Sequence, residues 1–152
     1  MKKFIYLLFI FLSFTINACE NDNPCVDNVV SRINAGFYTL SNDNESAFTV
    51  SDFSMYGIDR QDSVLHGSNV RIFDFPLSMH EASSSYILTV NTLTDTLELF
   101  YTSKLAFVSV ECGFTNNFEI QSLSITNNFI DSISIVKNNV DLSDEENLKI
   151  FL

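Results

Sequence analysis

The stretch at 95–110, DTLELFYTSKLAFVSV, constrains the fold more than any other part of the chain. Apolar and polar residues alternate along it with a period of two, the pattern of a β-strand with one face on a core and the other in water. Leu97, Leu99 and Tyr101 share one face of a first strand; Ala106, Val108 and Val110 share one face of a second, and the short TSK between them predicts a hairpin. Segments rich in β-branched and aromatic residues also occur at 33–40, 47–58, 68–77 and 84–91, with polar clusters such as SNDNES and DRQDS as separators. Nowhere in the exported part does a long 3.6-period apolar stripe call for a helical core.

Towards the C-terminus, asparagine pairs recur every eleven residues: Asn116 with Asn117, Asn127 with Asn128, Asn138 with Asn139. Asparagine tolerates positive φ, so each pair predicts a tight turn, and FEIQSLSI and FIDSISIV between them predict strands. The period covers one corner of the chain, which favours an antiparallel meander over a solenoid. In LSDEENLKIFL, Ser143 and Glu146 fit a capping box, but only six residues follow, so a brief turn and a last strand are expected. These elements predict an all-β fold, an antiparallel β-sandwich (immunoglobulin-like or similar) of about eight or nine strands over residues 32–152. With 46% hydrophobic residues, four glycines and two prolines, the chain has material for one core and is not of low complexity.

The first residues follow other rules. Lys2 and Lys3 precede FIYLLFIFLSFTI, an apolar run of about 13 residues, within the signal-peptide range and short of the roughly 20 that span a membrane. Ile16, Asn17 and Ala18 before Cys19 resemble the lipobox of bacterial lipoproteins, an aliphatic residue at −3 and a small one at −1, although Asn17 is not the usual small residue at −2. That resemblance implies cleavage before Cys19, a diacylglyceryl thioether on its sulfur and a further acyl chain such as palmitate on its amine. Residues 1–18 are then the signal peptide, 19–31 a lipid-anchored tether, and the membrane a partner through the lipid. The alternative is an ordinary secretory signal with a cysteine nearby. Glu20 and Asp22 resemble the acidic export signal of some Bacteroidota surface lipoproteins, so the expected location is the cell envelope, on the outer membrane, periplasmic or surface-exposed.

Removing Lys2 and Lys3 leaves six basic residues against nineteen acidic ones, a net charge near −13. Nucleic acid needs the opposite sign and is excluded as a partner. Without Cys19, Cys25 and Cys112 form an even pair in an oxidising compartment; the alternatives are a disulfide closing a loop of nearly ninety residues, or two free thiols. At 95–114 and 129–140, and in the closing EENLKIFL, the chain resembles a family of small Bacteroidota lipoproteins of unknown function, and Cys25 matches that family's other cysteine. The resemblance implies an all-β domain and a Cys25–Cys112 pair, and it brings no activity.

Candidates for chemistry are sparse. His66 in HGS and His80 in MHEASSS lack triad or zinc-helix spacing, and both are expected in exposed loops. Carboxylate pairs such as Asp59 with Asp62, or Glu98 with Glu111, are what an acidic chain produces by chance. DLSDEEN lacks the glycine and spacing of a calcium loop. Asp62-Ser63-Val64, Asp95-Thr96-Leu97 and Asp131-Ser132-Ile133 resemble an O-glycosylation sequence of exported Bacteroidota proteins, and equally fit polar strand starts. No catalytic residue, metal ligand or cofactor site is expected. The expected function is a non-enzymatic binding or structural lipoprotein that engages an envelope protein. The alternative is a surface glycan-binding accessory protein using Tyr38, Tyr56, Tyr86 and Tyr101.

Overall fold

The computed structural model describes residues 25, 29–42, 44–58 and 60–152, so residues 1–18, where a signal peptide is expected, and Cys19 and Asp59 lie outside the described residues. Among the described residues no helix forms, and eleven strands follow one another. In chain order they are β1 (Arg32–Ser41), β2 (Asn44–Ala47), β3 (Phe53–Gly57), β4 (Arg60–Gly67), β5 (Ile72–Pro76) and β6 (Ser83–Val90). The remainder are β7 (Leu93–Ser109), β8 (Gly113–Ile125), β9 (Ser132–Ile135), β10 (Asn139–Val140) and β11 (Leu148–Phe151). They build two sheets that do not close into a barrel, as the alternation predicts. A six-stranded sheet has the order β10-β8-β7-β6-β3-β4, and a five-stranded sheet runs β2-β1-β11-β9 with β5 also on β1.

β1 organises the smaller sheet. Its first half pairs with β5 (Ala35 with Phe73) and its last residues with β2 (Tyr38 with Ala47), so two short strands share one edge. Its other edge takes β11 in parallel, Phe37 opposite Ile150. Alternation along β1 buries Ile33, Ala35 and Phe37 completely. Phe37 meets Phe53 of the opposite sheet edge-on, ring centroids 5.2 Å apart, and Phe73 packs against both. Leu88, Leu97, Leu99 and Tyr101 supply the facing layer, and this two-sided apolar burial is the main favourable term in the fold.

The structure corrects several expectations. TSK is no turn: β7 runs unbroken through Thr102, Ser103 and Lys104, which pair with Glu119, Phe118 and Asn117. Threonine and serine fit a strand, and the reversal falls at 110–112, where Gly113 supplies a φ of +72°. The asparagine pairs are not hairpin turns either. Asn116 and Asn117 lie inside β8, while positive φ belongs to Asn42, Asn69 and Asn91 at other reversals. No meander follows, because β8 and β9 belong to different sheets and β9 pairs with β11. DRQDS is largely strand, contributing to β4 at the edge of the larger sheet, where polar residues are compatible with pairing. Of the segment at 47–58, only Ala47 belongs to β2 and Phe53–Gly57 form β3, with Val50 bridged to Val70 between them, and the parallel β1–β11 pair makes the smaller sheet mixed.

Two buried polar side chains fix the crossings between sheets. Asp95, 1% exposed, accepts from the Thr126 hydroxyl (2.7 Å) and from the backbone N–H groups of Asn128 (2.8 Å), Phe129 (2.8 Å) and Ile130 (2.9 Å). Burial pushes its pKa up, and the hydrogen bonds from Phe129, Thr126, Ile130 and Asn128 outweigh that, so the net shift is downward. Asn147, also buried, donates to the carbonyls of Lys137 (3.1 Å) and Asn139 (3.0 Å) and accepts from Asn34 N–H (3.0 Å). Its own N–H reaches Asn34 O at 2.8 Å, which seats β11 between β1 and β9.

Replacing Asp95 by Ala strands three backbone donors, and urea unfolding should show a loss of about 2–4 kcal/mol. An acid titration supplies a second check. Asp141 is lowered from 3.8 to about 2, chiefly by the Ser143 hydroxyl. Both carboxylates titrate lower in the folded chain, so their contribution is complete above about pH 4 and is lost as pH falls through their folded values, near 2 for Asp141. Asp141→Asn should flatten part of the fall in stability between pH 3.8 and about 2, read by unfolding at stepped pH.

Candidate functional site

The strand ladder shows where the sandwich stops and a smaller feature continues. β6 follows β7 only as far as Phe100, and β10 meets β8 only at Phe118 and Glu119. From Thr102 to Ser109, β7 therefore pairs with β8 alone, and the two form a ribbon beyond the covered part of the sheet. Alternate residues of a strand share a face, and so do residues paired across an antiparallel ladder. Tyr101, Leu105 and Phe107 lie in one such stripe on β7, with Phe118 and Phe114 on the same face of β8. The inner end of the stripe is core: Tyr101 and Phe118 pack edge to face at 5.5 Å and are 2% and 3% exposed. The outer end has lost its cover, leaving Leu105 at 68% and both Phe107 and Phe114 at 61%. Phe107 and Phe114 sit edge-on, 5.4 Å between centroids, and Val110 at the tip is 88% exposed. These side chains leave an exposed apolar cluster at the end of the ribbon, the kind of surface through which proteins make contacts.

The same tip holds the chain's entry point. Cys112 lies in the reversal and is joined to Cys25 by a disulfide, Cα to Cα 5.3 Å. Thr115, on the other face of the ribbon, donates its hydroxyl proton to Val29 O, and Ser31 donates to Asn117 Oδ1 at 3.1 Å. The residues before β1 are thus stitched along β8 as well as pinned at its tip. Glu111 beside Cys112 is held below the usual carboxylate range by its own backbone N–H and by the Ser109 hydroxyl.

Other candidates disperse. A groove of about 240 Å³ is lined by Arg32, Asn34, Asp74, Asp141 and Ser143 among others. Arg32 pairs with Asp74, and Asp141 is engaged by Lys137, Asn139 and Ser143, so these charges serve the fold. In DLSDEEN the Lys137 ammonium lies 3.1 Å from Asp141 and 2.6 Å from Glu145, the position a cation would otherwise take. Glu146 accepts from Tyr38 rather than capping a helix. His66 is in β4, not a loop, and pairs with Ser54; His80 is in the β5–β6 loop; both are exposed. Glu98 stands eleven positions before the end of β7, roughly 35 Å at strand spacing, and Glu111 lies beyond that end, far outside the reach of a carboxylate pair. Among the described residues no group of three or more metal-binding side chains occurs. Tyr86 and Tyr101 are buried, while Tyr38 and Tyr56 are half-buried on strands of different sheets. Of the three Asp-Ser/Thr sequences, Asp95-Thr96-Leu97 has its aspartate and leucine committed to the interior.

Sequence reasoning did not single out Leu105, Phe107 or Phe114. A signal was present in LAFV at 105–108, where both strand faces are apolar, which a half-covered strand does not need.

A family model described as a family of unknown function (DUF6452) matches residues 52–152. The match includes the ribbon and Cys112 but begins after β2, although β1 is a central strand of the smaller sheet. No curated protein and no solved structure matches the chain significantly.

The 87-residue separation of the cysteines fixes the expected effect of opening the bond. The Cys25→Ser/Cys112→Ser double variant should lose about 4–5 kcal/mol on the chain-entropy model, in urea unfolding against the oxidised protein. Equal stability of the two forms would show that the bond restrains nothing in the unfolded chain.

Proposed function

The chain belongs to the DUF6452 family, and from that premise we propose that it is a lipid-anchored cell-envelope protein whose β-sandwich is a non-enzymatic binding or structural module. The Cys25–Cys112 disulfide carries this reading. A buried-core domain of this size does not need a staple to fold, and such bonds persist in oxidising compartments. The bond also ties the domain to the segment immediately after Cys19, so tension on a lipid anchor passes into the β7–β8 reversal and not into β1. The lipobox-like Ile16–Cys19 stretch, the acids Glu20 and Asp22 and the net charge near −13 fit export to the outer membrane of a Bacteroidota cell. The apolar ribbon supplies a contact surface, and among the described residues His66, His80, Glu98 and Glu111 are dispersed.

A glycan-binding role has less support. Sugar platforms use neighbouring exposed aromatic faces, and Tyr38 and Tyr56 belong to different sheets.

Cys19→Ser is the direct test. Cells fed an alkyne fatty acid should label the native chain and leave the variant unlabelled, and the variant should leave the membrane fraction in flotation. An unlabelled native chain, or a variant that still floats, overturns the anchor.

A further inference from the structure

We infer that the tip of the β7–β8 ribbon is a membrane-contacting element, with Leu105, Phe107, Val110 and Phe114 seated in the interface of the bilayer that holds the lipid anchor. The inference rests on the proposed acylation of Cys19 and specifies what the anchored domain does next to the membrane. Its first support is covalent distance. Cys19 and Cys25 are six residues apart, and a fully extended chain spans at most about 3.6 Å per residue. Cys112 is bonded to Cys25, so the ribbon tip stays within roughly 30 Å of the acylated sulfur however the intervening residues run. No other part of the domain is bound so closely to the anchor.

The second support is where the apolar stripe loses its cover. Tyr101 and Phe118 are sealed in the core, and past the hydrogen-bonded pair Ser103 and Asn116, Leu105, Phe107 and Phe114 continue the same face into solvent. Phenylalanine and leucine at the end of a rigid two-stranded ribbon are the side chains that enter the headgroup–acyl boundary. The residues nearest the anchor are therefore also the most apolar exposed ones.

Charge selects the kind of surface. The exported chain is strongly acidic and Glu111 sits at the tip, so a bilayer of zwitterionic phospholipid is favoured over an anionic one. A second copy of the chain fits less well. Four side chains of this size offer at most roughly 500 Å², against about 800 Å² per partner in a stable interface.

The chain has no tryptophan, so one introduced residue reports cleanly. Phe107→Trp and, independently, Leu105→Trp are made in the full-length acylated protein and reconstituted into phosphatidylcholine vesicles, with Val64→Trp on β4 as the remote control. Emission from positions 105 and 107 should shift to shorter wavelength on reconstitution and lose most of its intensity when the acyl chains are brominated, while position 64 changes in neither respect. If the protein floats with the vesicles but positions 105 and 107 stay unquenched, the ribbon does not touch lipid and the inference fails with the anchor intact. If their emission is already blue-shifted in detergent-free, lipid-free solution and the chain sediments as a dimer, the face is a self-association surface and the inference is overturned. If the native chain does not float, the anchor itself is wrong and the inference falls with it.

Discussion

Four hydrogen bonds to one carboxylate hold the two sheets in register. Asp95 lies on β7 in the larger sheet, and its partners Thr126, Asn128, Phe129 and Ile130 form the segment by which the chain leaves that sheet for β9 in the smaller one. A loop with four inward-facing donors would be expensive to bury without an acceptor, and the carboxylate meets that need while its own burial is compensated. Ile130, which follows, is then free to enter the core at 1% exposure. Asn147 does the comparable task at the other end of the crossing, where β11 slots in parallel beside β1. These two side chains act beside the burial of Ile130, Val140, Leu148 and Ile150, which gives the last third of the chain its apolar reason to cross.

That explains what could and could not be read from residues alone. The burial of Leu97, Leu99 and Tyr101 was legible because period-2 alternation reports one covered face and needs no knowledge of the partner strand. The TSK hairpin was not, since Thr102 and Ser103 suit a strand as well as a turn and the deciding residue, Gly113, lies ten positions further on. Asparagine chemistry predicted positive φ correctly in kind and wrongly in place. It occurs at single asparagines 42, 69 and 91 rather than at the repeated pairs, because whether an asparagine turns depends on where its neighbours find strand partners. β4 was hidden by its polar composition, which an edge strand allows. Cys25 and Cys112 were within reach of counting once Cys19 was set aside. The bare apolar ribbon was out of reach, since alternation shows which side chains share a face and not whether a second sheet covers it.

The same missing cover gives the molecule its direction. Most of the described chain forms a two-sheet core, with ion pairs at its surface such as Arg32 with Asp74 and Lys137 with Asp141 and Glu145. One end differs: two strands outrun their neighbours, their apolar face is bare, and the disulfide brings the chain's entry to the same tip. On the proposed anchor this end would face the membrane, and the opposite end, with the β6–β7 turn at Asn91, would be presented outward.

The intact mass of the protein extracted from native membranes, without reductant, tests the central claim most directly. The proposed structure and anchor predict one species that begins at Cys19, carries acyl chains there, and is two hydrogens lighter than its reduced form through Cys25 and Cys112. A species that retains residues 1–18, lacks acyl mass, or has both remaining cysteines as thiols would contradict it.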